Sequence, residues 1–281
     1  MKKILVSGCT SGIGTEIARG VLERGDFLIM VNRSERKSKS MREIFEKEFP
    51  NAHIAEYYAD LSIMKQVHIL GQRLREAHDH IDILINNAGA YFSTSSTCVQ
   101  GWEKTFTLNH MGYFALTYEL LPLLQASEKG RIVNVASRAH HYGTIDFAQF
   151  LSPDRRFAQL AYGSSKLCNI LFTRALAGKI ADQGITANCL HPGVVRTNIA
   201  QDQGGVFALF MKCFSIFLLS PKEGAKTPLF LAYDSSIEGK SGGYYAKCRQ
   251  IKPSKKASDD QLAQELWNWS EDLYLKTREE S

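Results

Sequence analysis

Short apolar runs alternate with amphipathic segments from the N-terminus to Gly193, and this alternation constrains the fold more than any other feature of the chain. The runs ILVSG, FLIMV, IAEYYADL, IDILINNAG, RIVNVAS and ITANCLHPG have the length and composition of buried strands. Helical patterns such as TEIARGVLERG and IMKQVHILGQRLREAH separate them. The alternation predicts an α/β fold, a doubly wound parallel sheet (Rossmann-like) with helices on both faces.

A single domain fits the length and the composition of the chain. Its 281 residues suit one large α/β domain, and no linker rich in Pro, Gly or Ser, no repeat and no low-complexity block interrupts it. We therefore expect one domain spanning residues 1–281. Within it we distinguish an apolar segment at 200–222 and a helical C-terminal tail at 252–281.

A glycine-rich turn, SGCTSGIG, follows the first predicted strand. Gly8, Gly12 and Gly14 permit a tight turn and a close approach of the backbone to a pyrophosphate, and the next helix offers its N-terminal N–H groups to that anion. Ligands of doubly wound sheets bind beyond the carboxyl ends of the strands, where this turn is predicted to lie. A plain turn is the alternative, but the position on the first strand of a βαβ unit favours a nucleotide site.

The segment QLAYGSSK places a tyrosine four residues before a lysine. On a helix, Tyr162 and Lys166 share one face, either as an exposed pair or as a phenol whose pKa a neighbouring cation lowers. Ser137 ends the fifth predicted strand, at the edge of the sheet where ligands bind, whereas Ser164 faces away from the side of Tyr162. Ser137 is therefore favoured over Ser164 and Ser165 as the hydroxyl partner of the tyrosine.

Together these motifs resemble the short-chain dehydrogenase/reductase family. The turn has the spacing G-x-x-x-G-x-G, Asn86-Asn87-Ala88-Gly89 resembles the N-N-A-G segment, and residues 192–197 resemble P-G-x-x-x-T. Ser7 stands where threonine is usual, and both residues carry a hydroxyl. The interval between Ser137 and Tyr162 is longer than in many members and resembles the retinol dehydrogenase-like branch.

The resemblance implies an oxidoreductase with four catalytic residues. Tyr162 would be the general acid or base, and Lys166 would lower its pKa and hold the nicotinamide ribose. Ser137 would orient the substrate oxygen, and Asn109 would hold a water linked to Lys166. The positions assigned to the cofactor are Gly8, Thr10, Ser11, Gly12, Ile13, Gly14, Arg33, Asp60, Leu61, Asn87, Ala88, Gly89, Tyr162, Lys166, Pro192, Gly193, Val195 and Thr197.

The end of the second predicted strand favours NADP(H) over NAD(H). Sites for NAD place an acidic residue there for the ribose 2′-hydroxyl, but Asn32 is uncharged and Arg33 can bind a 2′-phosphate. In the alternative, Arg33 points to solvent and the site does not discriminate. Asp60 resembles the family aspartate near the adenine, and a cap on the following helix is its alternative role.

The apolar segment GVFALFMKCFSIFLLS, residues 205–220, follows the sixth predicted strand. The family covers its substrate with this part of the chain, so we expect a lid at 200–222 over an apolar pocket. A core helix and a segment that dips into a membrane surface are the alternatives. A spanning helix is not among them, because the segment is shorter than the roughly 18 to 20 residues that span a bilayer. A lid favours a hydrophobic substrate, such as a retinoid, a long-chain aldehyde, a steroid or a quinone.

Composition argues against several other classes of protein. The net charge of +5 comes from scattered Lys and Arg residues, so we expect no nucleic-acid binding. The six cysteines form no C-x-x-C pair and His140 and His141 have no acidic or cysteine partner at ligand spacing, so we expect no metal site. No apolar signal region precedes the first strand, which predicts a cytoplasmic protein, with peripheral membrane contact through residues 205–220 left open.

Two further questions stay open at the level of sequence. The apolar face of YFALTYELLPLL is compatible with a homodimer or tetramer, but does not require one. A non-catalytic NADP(H)-binding sensor or scaffold protein that retains the fold is the alternative function. The presence of Ser137, Tyr162, Lys166 and Asn109 favours a carbonyl reductase or alcohol dehydrogenase over that alternative.

Overall fold

The structure is a computed structural model that describes residues 1–92, 96–153, 157–195 and 219–279, with only the backbone of residues 157–159. Thr197 lies outside the described residues, as does most of the predicted lid at 200–222.

Strands and helices alternate as the sequence predicts. The strands of the alternating region are β1 (Lys3–Ser7), β2 (Phe27–Asn32), β3 (Ile54–Tyr58), β4 (Ile83–Asn86), β5 (Arg131–Val135) and β6 (Thr186–Leu190). The helices are α1 (Gly12–Leu22), α2 (Glu35–Glu48), α3 (Met64–Ala77), α4 (Lys104–Phe106), α5 (Gly112–Gln125), α6 (Phe147–Leu151) and α7 (Phe157–Lys179). The chain ends with α8 (Pro221–Tyr233), β7 (Tyr244–Ala246), β8 (Arg249–Gln250) and α9 (Asp260–Glu279).

One sheet organises the chain, in the order β3-β2-β1-β4-β5-β6-β7-β8. Its strands are parallel from β3 to β7, and β8 runs antiparallel to β7. The chain winds outward from β1 to β3 and then crosses back to β4 on the other side of β1. The predicted doubly wound α/β fold is confirmed, and its switch point lies between β1 and β4, where such folds bind their ligands.

The two faces of the sheet bury separate apolar layers. Along β1, Leu5 faces a layer formed with α3, α5, α7 and α9, whereas Ile4 and Val6 face a layer formed with α1 and α8. Strands that are buried on both faces read as continuous apolar runs, which is why the sequence marks them so clearly. In the part of the chain that the structure describes, no helix is both long enough and apolar enough to cross a bilayer.

The structure departs from the predicted elements at two places. The region GWEKTFTLNHMGYFALTYELLPLLQ has the sequence pattern of a long helical region, but a π-helical turn, Thr107–Met111, separates α4 from α5. Such turns insert one residue into a helix and are frequent at functional sites. The sequence also gives no prediction of β7 and β8, because two or three residues are too few to show a periodicity.

Candidate active site

The glycine turn closes against the loop after β4. Gly8 and Gly12 have φ angles of +77° and +59°, which L-residues with side chains rarely adopt. A Cβ on Gly8 would lie 2.9 Å from the Cα of Ala88, and a Cβ on Gly14 would lie 1.8 Å from the carbonyl oxygen of Gly8. The turn therefore needs glycine at Gly8 and Gly12 for their backbone angles, and at Gly8 and Gly14 for close packing.

Ser7 and Asn87 join β1 to β4 at the switch point. The Ser7 hydroxyl accepts hydrogen bonds from the backbone N–H groups of Asn87 (3.0 Å) and Ala88 (3.1 Å). The Asn87 side chain donates in return to the carbonyl oxygens of Ser7 (3.0 Å) and Gly8 (3.1 Å). The Ser7 hydroxyl thus holds the loop after β4, a bond that a threonine at this position could also make. The Asn87 amide holds the glycine turn.

The start of α1 fits the pyrophosphate of a dinucleotide. Its N-cap, Ser11, makes no side-chain capping bond, whereas Ser34 caps α2 by accepting from the N–H of Lys37. The first turn of α1, from Gly12 on, also contains no acidic side chain. Its N–H groups and the positive end of the helix dipole are therefore available to an anion.

The end of β2 carries a buried asparagine and an exposed arginine. The Oδ1 of Asn32 accepts from the N–H of Cys9 at 2.7 Å, and its Nδ2 donates to the Ser38 hydroxyl at 2.9 Å. Both ends of the amide are thus engaged in the fold. The side chain of Arg33 is 68% exposed, with Nη1 3.9 Å from Oδ2 of Asp60, so both predicted adenosine-end residues lie together.

Asp60 does not cap α3, so the alternative role considered for it is wrong. Its Oδ1 accepts from the N–H (2.9 Å) and the hydroxyl (2.6 Å) of Ser62, in a turn that precedes the helix, and the N-cap is Ile63. Leu61, the next predicted cofactor residue, is buried, and its carbonyl lies against Gly112 at the start of α5.

The predicted catalytic residues meet at the carboxyl ends of β4 and β5. The side chain of Ser137, just beyond β5, lies close enough to the phenol of Tyr162 on α7 to influence its ionisation. The Nζ of Lys166 donates to the carbonyl oxygen of Val135 at 3.0 Å and lies 5.8 Å from the centre of the Tyr162 ring. The lysine is 4% exposed, so its ammonium group is held in largely apolar surroundings.

Asn109, in the π-helical turn, fixes the loop that passes the lysine. Its Oδ1 accepts from the N–H of Ala90 at 2.9 Å, and its Nδ2 donates to the carbonyl of Ala90 (2.9 Å) and to the Ser165 hydroxyl (3.1 Å). A Cβ on Gly89 would lie 2.9 Å from Oδ1 of Asn109 and 3.5 Å from Nζ of Lys166. The N-N-A-G loop therefore passes between the asparagine and the lysine.

Burial dominates the ionisation of the two central groups. It raises the pKa of Tyr162, with the Ser137 hydrogen bond opposing the shift, and lowers the pKa of Lys166 to about 7. The lysine is expected to lower the pKa of the tyrosine, but the pKa of Tyr162 is raised. The Nζ of Lys166 is bound to the carbonyl oxygen of Val135 and not to the phenol oxygen. A phenolate and an ammonium are each unfavourable here alone, whereas together they stabilise each other.

The segment after β6 lies beside the glycine turn. The N–H of Gly193, which has a φ of +89°, donates to Nδ1 of His191 at 3.1 Å. Pro192 is half-buried, and the buried Val195 forms a β-bridge with Leu219. A Cβ on Gly224, in α8, would lie 2.9 Å from Val195 and 3.1 Å from Ile13 of the turn, so these residues converge.

Sequence reasoning missed two neighbours of Tyr162. Ser165, set aside in favour of Ser137, donates to the carbonyl of Tyr162 at 2.8 Å and accepts from Asn109, which links α7 to the π-helical turn. Tyr91 lies edge-on to Tyr162, with ring centres 5.7 Å apart. Its position two residues after Gly89 is the signal that would have pointed to it.

Comparison with known proteins agrees with this geometry. Residues 2–205 match the family model described as short chain dehydrogenase. The chain is 35% identical over 272 residues to human retinol dehydrogenase 12, covering 97% of this chain and 86% of that protein. An uncharacterized protein from Mycobacterium paratuberculosis has a similar structure (TM-score 0.78, 28% identity, 98% and 93% of the two chains covered). The RhlG/NADP active-site complex of Pseudomonas aeruginosa is also similar (TM-score 0.69, 27% identity, 86% and 93% covered).

Proposed function

This chain belongs to the short-chain dehydrogenase family, and we propose that it is an NADP(H)-dependent oxidoreductase that interconverts a carbonyl and an alcohol on a hydrophobic substrate. The observation that supports the proposal best is the convergence of Ser137, Tyr162, Lys166 and Asn109 beside the glycine turn. These residues come from β5, α7 and the π-helical turn, and they meet only because the sheet brings those elements to one edge.

Tyr162 and Ser137 act on the substrate oxygen in this proposal. The bound cofactor supplies the hydride that the carbonyl carbon accepts. Tyr162 donates its phenolic proton to the carbonyl oxygen, and in the reverse direction its phenolate takes the proton of the alcohol. The Ser137 hydroxyl, which lies next to Tyr162, donates a hydrogen bond to the same oxygen and orients it.

Lys166 stabilises the phenolate form of Tyr162 in this buried site. With a pKa near 7 it takes up a proton readily when a negative charge forms on Tyr162, and the two charges then stabilise each other. Asn109 holds the loop at Gly89 and Ala90 against the lysine, and in the proposal it also orders the water that exchanges protons with Lys166.

The end of β2 supports NADP(H) as the cofactor. Asn32 fills the place of an acidic residue with a neutral amide whose atoms are already bonded, so this position carries no charge that would repel a 2′-phosphate. The exposed guanidinium of Arg33 is free to turn towards such a phosphate, because its contact with Asp60 is long. The similar RhlG structure is a complex with NADP, which agrees with this choice.

The loops at the active-site edge support a hydrophobic substrate. Tyr91 follows β4, Tyr142 follows β5 and Val194 follows β6, and the last two are exposed. All three positions follow carboxyl ends of strands, the edge at which such sheets bind their ligands. Val195, which precedes the predicted lid at 200–222, pairs at this same edge with Leu219, which lies near the end of that segment. Retinoids, long-chain aldehydes, steroids and quinones form the substrate class.

The test is a screen of NADPH oxidation with retinal, aliphatic aldehydes, steroids and quinones, followed by Tyr162→Phe in each active pair. The phenyl ring keeps the packing and removes the proton, so we expect kcat to fall by at least about 100-fold. The melting temperature should still rise with NADPH in the variant, which separates lost chemistry from lost binding. A wild-type protein that is stabilised by NADPH but turns over none of these substrates would favour the non-catalytic sensor or scaffold.

A further inference from the structure

His140 contacts the backbone of Ser137, the serine that the proposed function makes catalytic. It belongs to the 3₁₀ turn Arg138–Tyr142 that begins after Ser137, and it is 1% exposed. The carbonyl oxygen of Ser137 lies 2.8 Å from the ring Nδ1 of His140 and 3.1 Å from its backbone nitrogen. The histidine thus contacts the backbone of the residue whose hydroxyl meets Tyr162.

The other ring nitrogen of His140 contacts the C-terminal part of the chain. Its Nε2 lies 3.1 Å from the backbone nitrogen of Ser254, 114 positions away. An amide N–H can only donate, so Nε2 must be the acceptor and Nδ1 must carry the hydrogen that Ser137 accepts. The partners therefore fix one neutral tautomer, and burial, which lowers the pKa of His140, favours the same neutral form.

The turn behind Ser137 is held from two sides. On the C-terminal side, Lys256 Nζ donates to the carbonyl of Gly143 at 3.4 Å, close to the Ser254 contact. On the side of α7, the N–H of Thr144 donates to the Ser164 hydroxyl at 3.0 Å. A Cβ on Gly143 would also lie 2.4 Å from the carbonyl oxygen of Gly163, next to Tyr162. The turn is thereby fixed relative to the helix that bears the tyrosine.

We propose that His140 is a positioning residue, whose ring Nδ1–H holds the backbone of Ser137 and so sets the Ser137–Tyr162 contact, while the bond from Ser254 to Nε2 keeps the ring in the tautomer that can donate. The inference rests on the proposed function of Ser137, and it adds a role that neither the catalytic motif nor the family match assigns. His140 itself touches neither substrate nor cofactor. Its Nδ1–H determines where the serine stands, and the bond that Nε2 accepts from Ser254 keeps the hydrogen on Nδ1.

Three variants test the role through kinetics. His140→Phe keeps an aromatic ring and loses both bonds, and we expect kcat to fall about 10- to 100-fold, because small displacements of an orienting group reduce rate strongly. His140→Asn carries an N–H on Cγ where histidine has Nδ1, and it should recover kcat to within about threefold of wild type by restoring the bond to Ser137. His141→Asn makes the same change at the exposed neighbour and should leave kcat unchanged.

The dissociation constant for NADPH separates positioning from general damage. The glycine turn lies at β1 and β4, so this constant should stay within about twofold of wild type in all three variants. The proposal is overturned if His140→Phe retains wild-type kcat, or if His140→Asn is as impaired as His140→Phe while both bind NADPH normally.

A spectroscopic measurement keeps the proposal testable without any turnover. In protein labelled with ¹⁵N-histidine, the His140 signal, identified by its loss in His140→Asn, should show a neutral ring protonated at Nδ1 and unprotonated at Nε2. The opposite tautomer, or a charged ring at pH 7.5, would overturn the inference even if no substrate is known. If the tautomer is as expected and wild type reduces no carbonyl compound, the proposed function fails and the His140 contact stands.

Discussion

Lys166 directs its ammonium at the carbonyl oxygen of Val135, 3.0 Å away, and not at the phenol of Tyr162. The lysine is buried, and a single carbonyl replaces little of the hydration that it loses. The loss of hydration lowers the pKa of Lys166 to about 7. The residue is therefore held at the expense of stability, as catalytic groups often are.

We predict that Lys166→Met abolishes activity and raises the free energy of unfolding at pH 7 by about 1–3 kcal/mol, because it removes a buried charge and keeps a side chain of similar length. The folded lysine has a lowered pKa, so the unfolded state binds more protons between about pH 7 and 10.5 and wild type gains stability as pH rises. The advantage of the variant should consequently shrink from pH 7 to 9. Urea unfolding at several pH values measures it, and an equal or lower stability at pH 7 would contradict the prediction.

A second prediction concerns the choice between NADPH and NADH. Arg33→Ala should raise the KM for NADPH at least about tenfold and leave the KM for NADH nearly unchanged, because only the former carries the 2′-phosphate. Lys39→Ala is the matched control, since Lys39 is also an exposed cation near the adenosine end but is already paired with Glu35 at 2.8 Å. Equal effects of Arg33→Ala on the two cofactors would exclude a 2′-phosphate contact.

The sequence predicts the sheet and its switch point because buried parallel strands leave unbroken apolar runs, such as FLIMV in β2. It also places Ser137, Tyr162 and Lys166 at the carboxyl edge of the sheet, because each follows a strand end or lies on the helix beyond one. The π-helical turn at Asn109 escapes prediction, since one inserted residue hardly alters a helical pattern in an apolar segment. Nor does the sequence pair His140 with Ser254, because contacts across 114 positions have no local signature.

The buried histidines predict a loss of stability in mild acid. Burial lowers the pKa of His110 to about 3 and that of His191 to about 4. Above about pH 7.5 both are neutral in the folded and unfolded states and have no effect on stability. At lower pH the two histidines bind protons in the unfolded state but not in the folded state. The free energy of unfolding therefore falls by up to about 1.4 kcal/mol per pH unit for each histidine.

Urea unfolding between about pH 5.0 and 6.5 measures this slope. His110→Gln removes one titrating group while its amide can still reach the Ser270 hydroxyl, which bonds His110 at 3.0 Å. The slope of this variant should be shallower than that of wild type by up to about 1.4 kcal/mol per pH unit, whatever its absolute stability. An unchanged slope would mean that His110 is not held neutral by the fold.

The last prediction concerns α9, which packs on α7 and on α5, the helix whose apolar face the sequence leaves compatible with self-association. Trp267 of α9 is 4% exposed, stacks on Phe172 of α7 with ring centres 5.8 Å apart and meets Phe114 of α5 edge-on at 5.0 Å. Trp267→Ala should lower the free energy of unfolding by about 3–5 kcal/mol, because the ring fills a core that cannot collapse around the gap. Glu265→Ala, at an exposed position of the same helix, should change it by less than about 0.5 kcal/mol. Urea unfolding of both variants measures the difference, and a loss below about 1 kcal/mol for Trp267→Ala would show that α9 is only loosely attached to that surface.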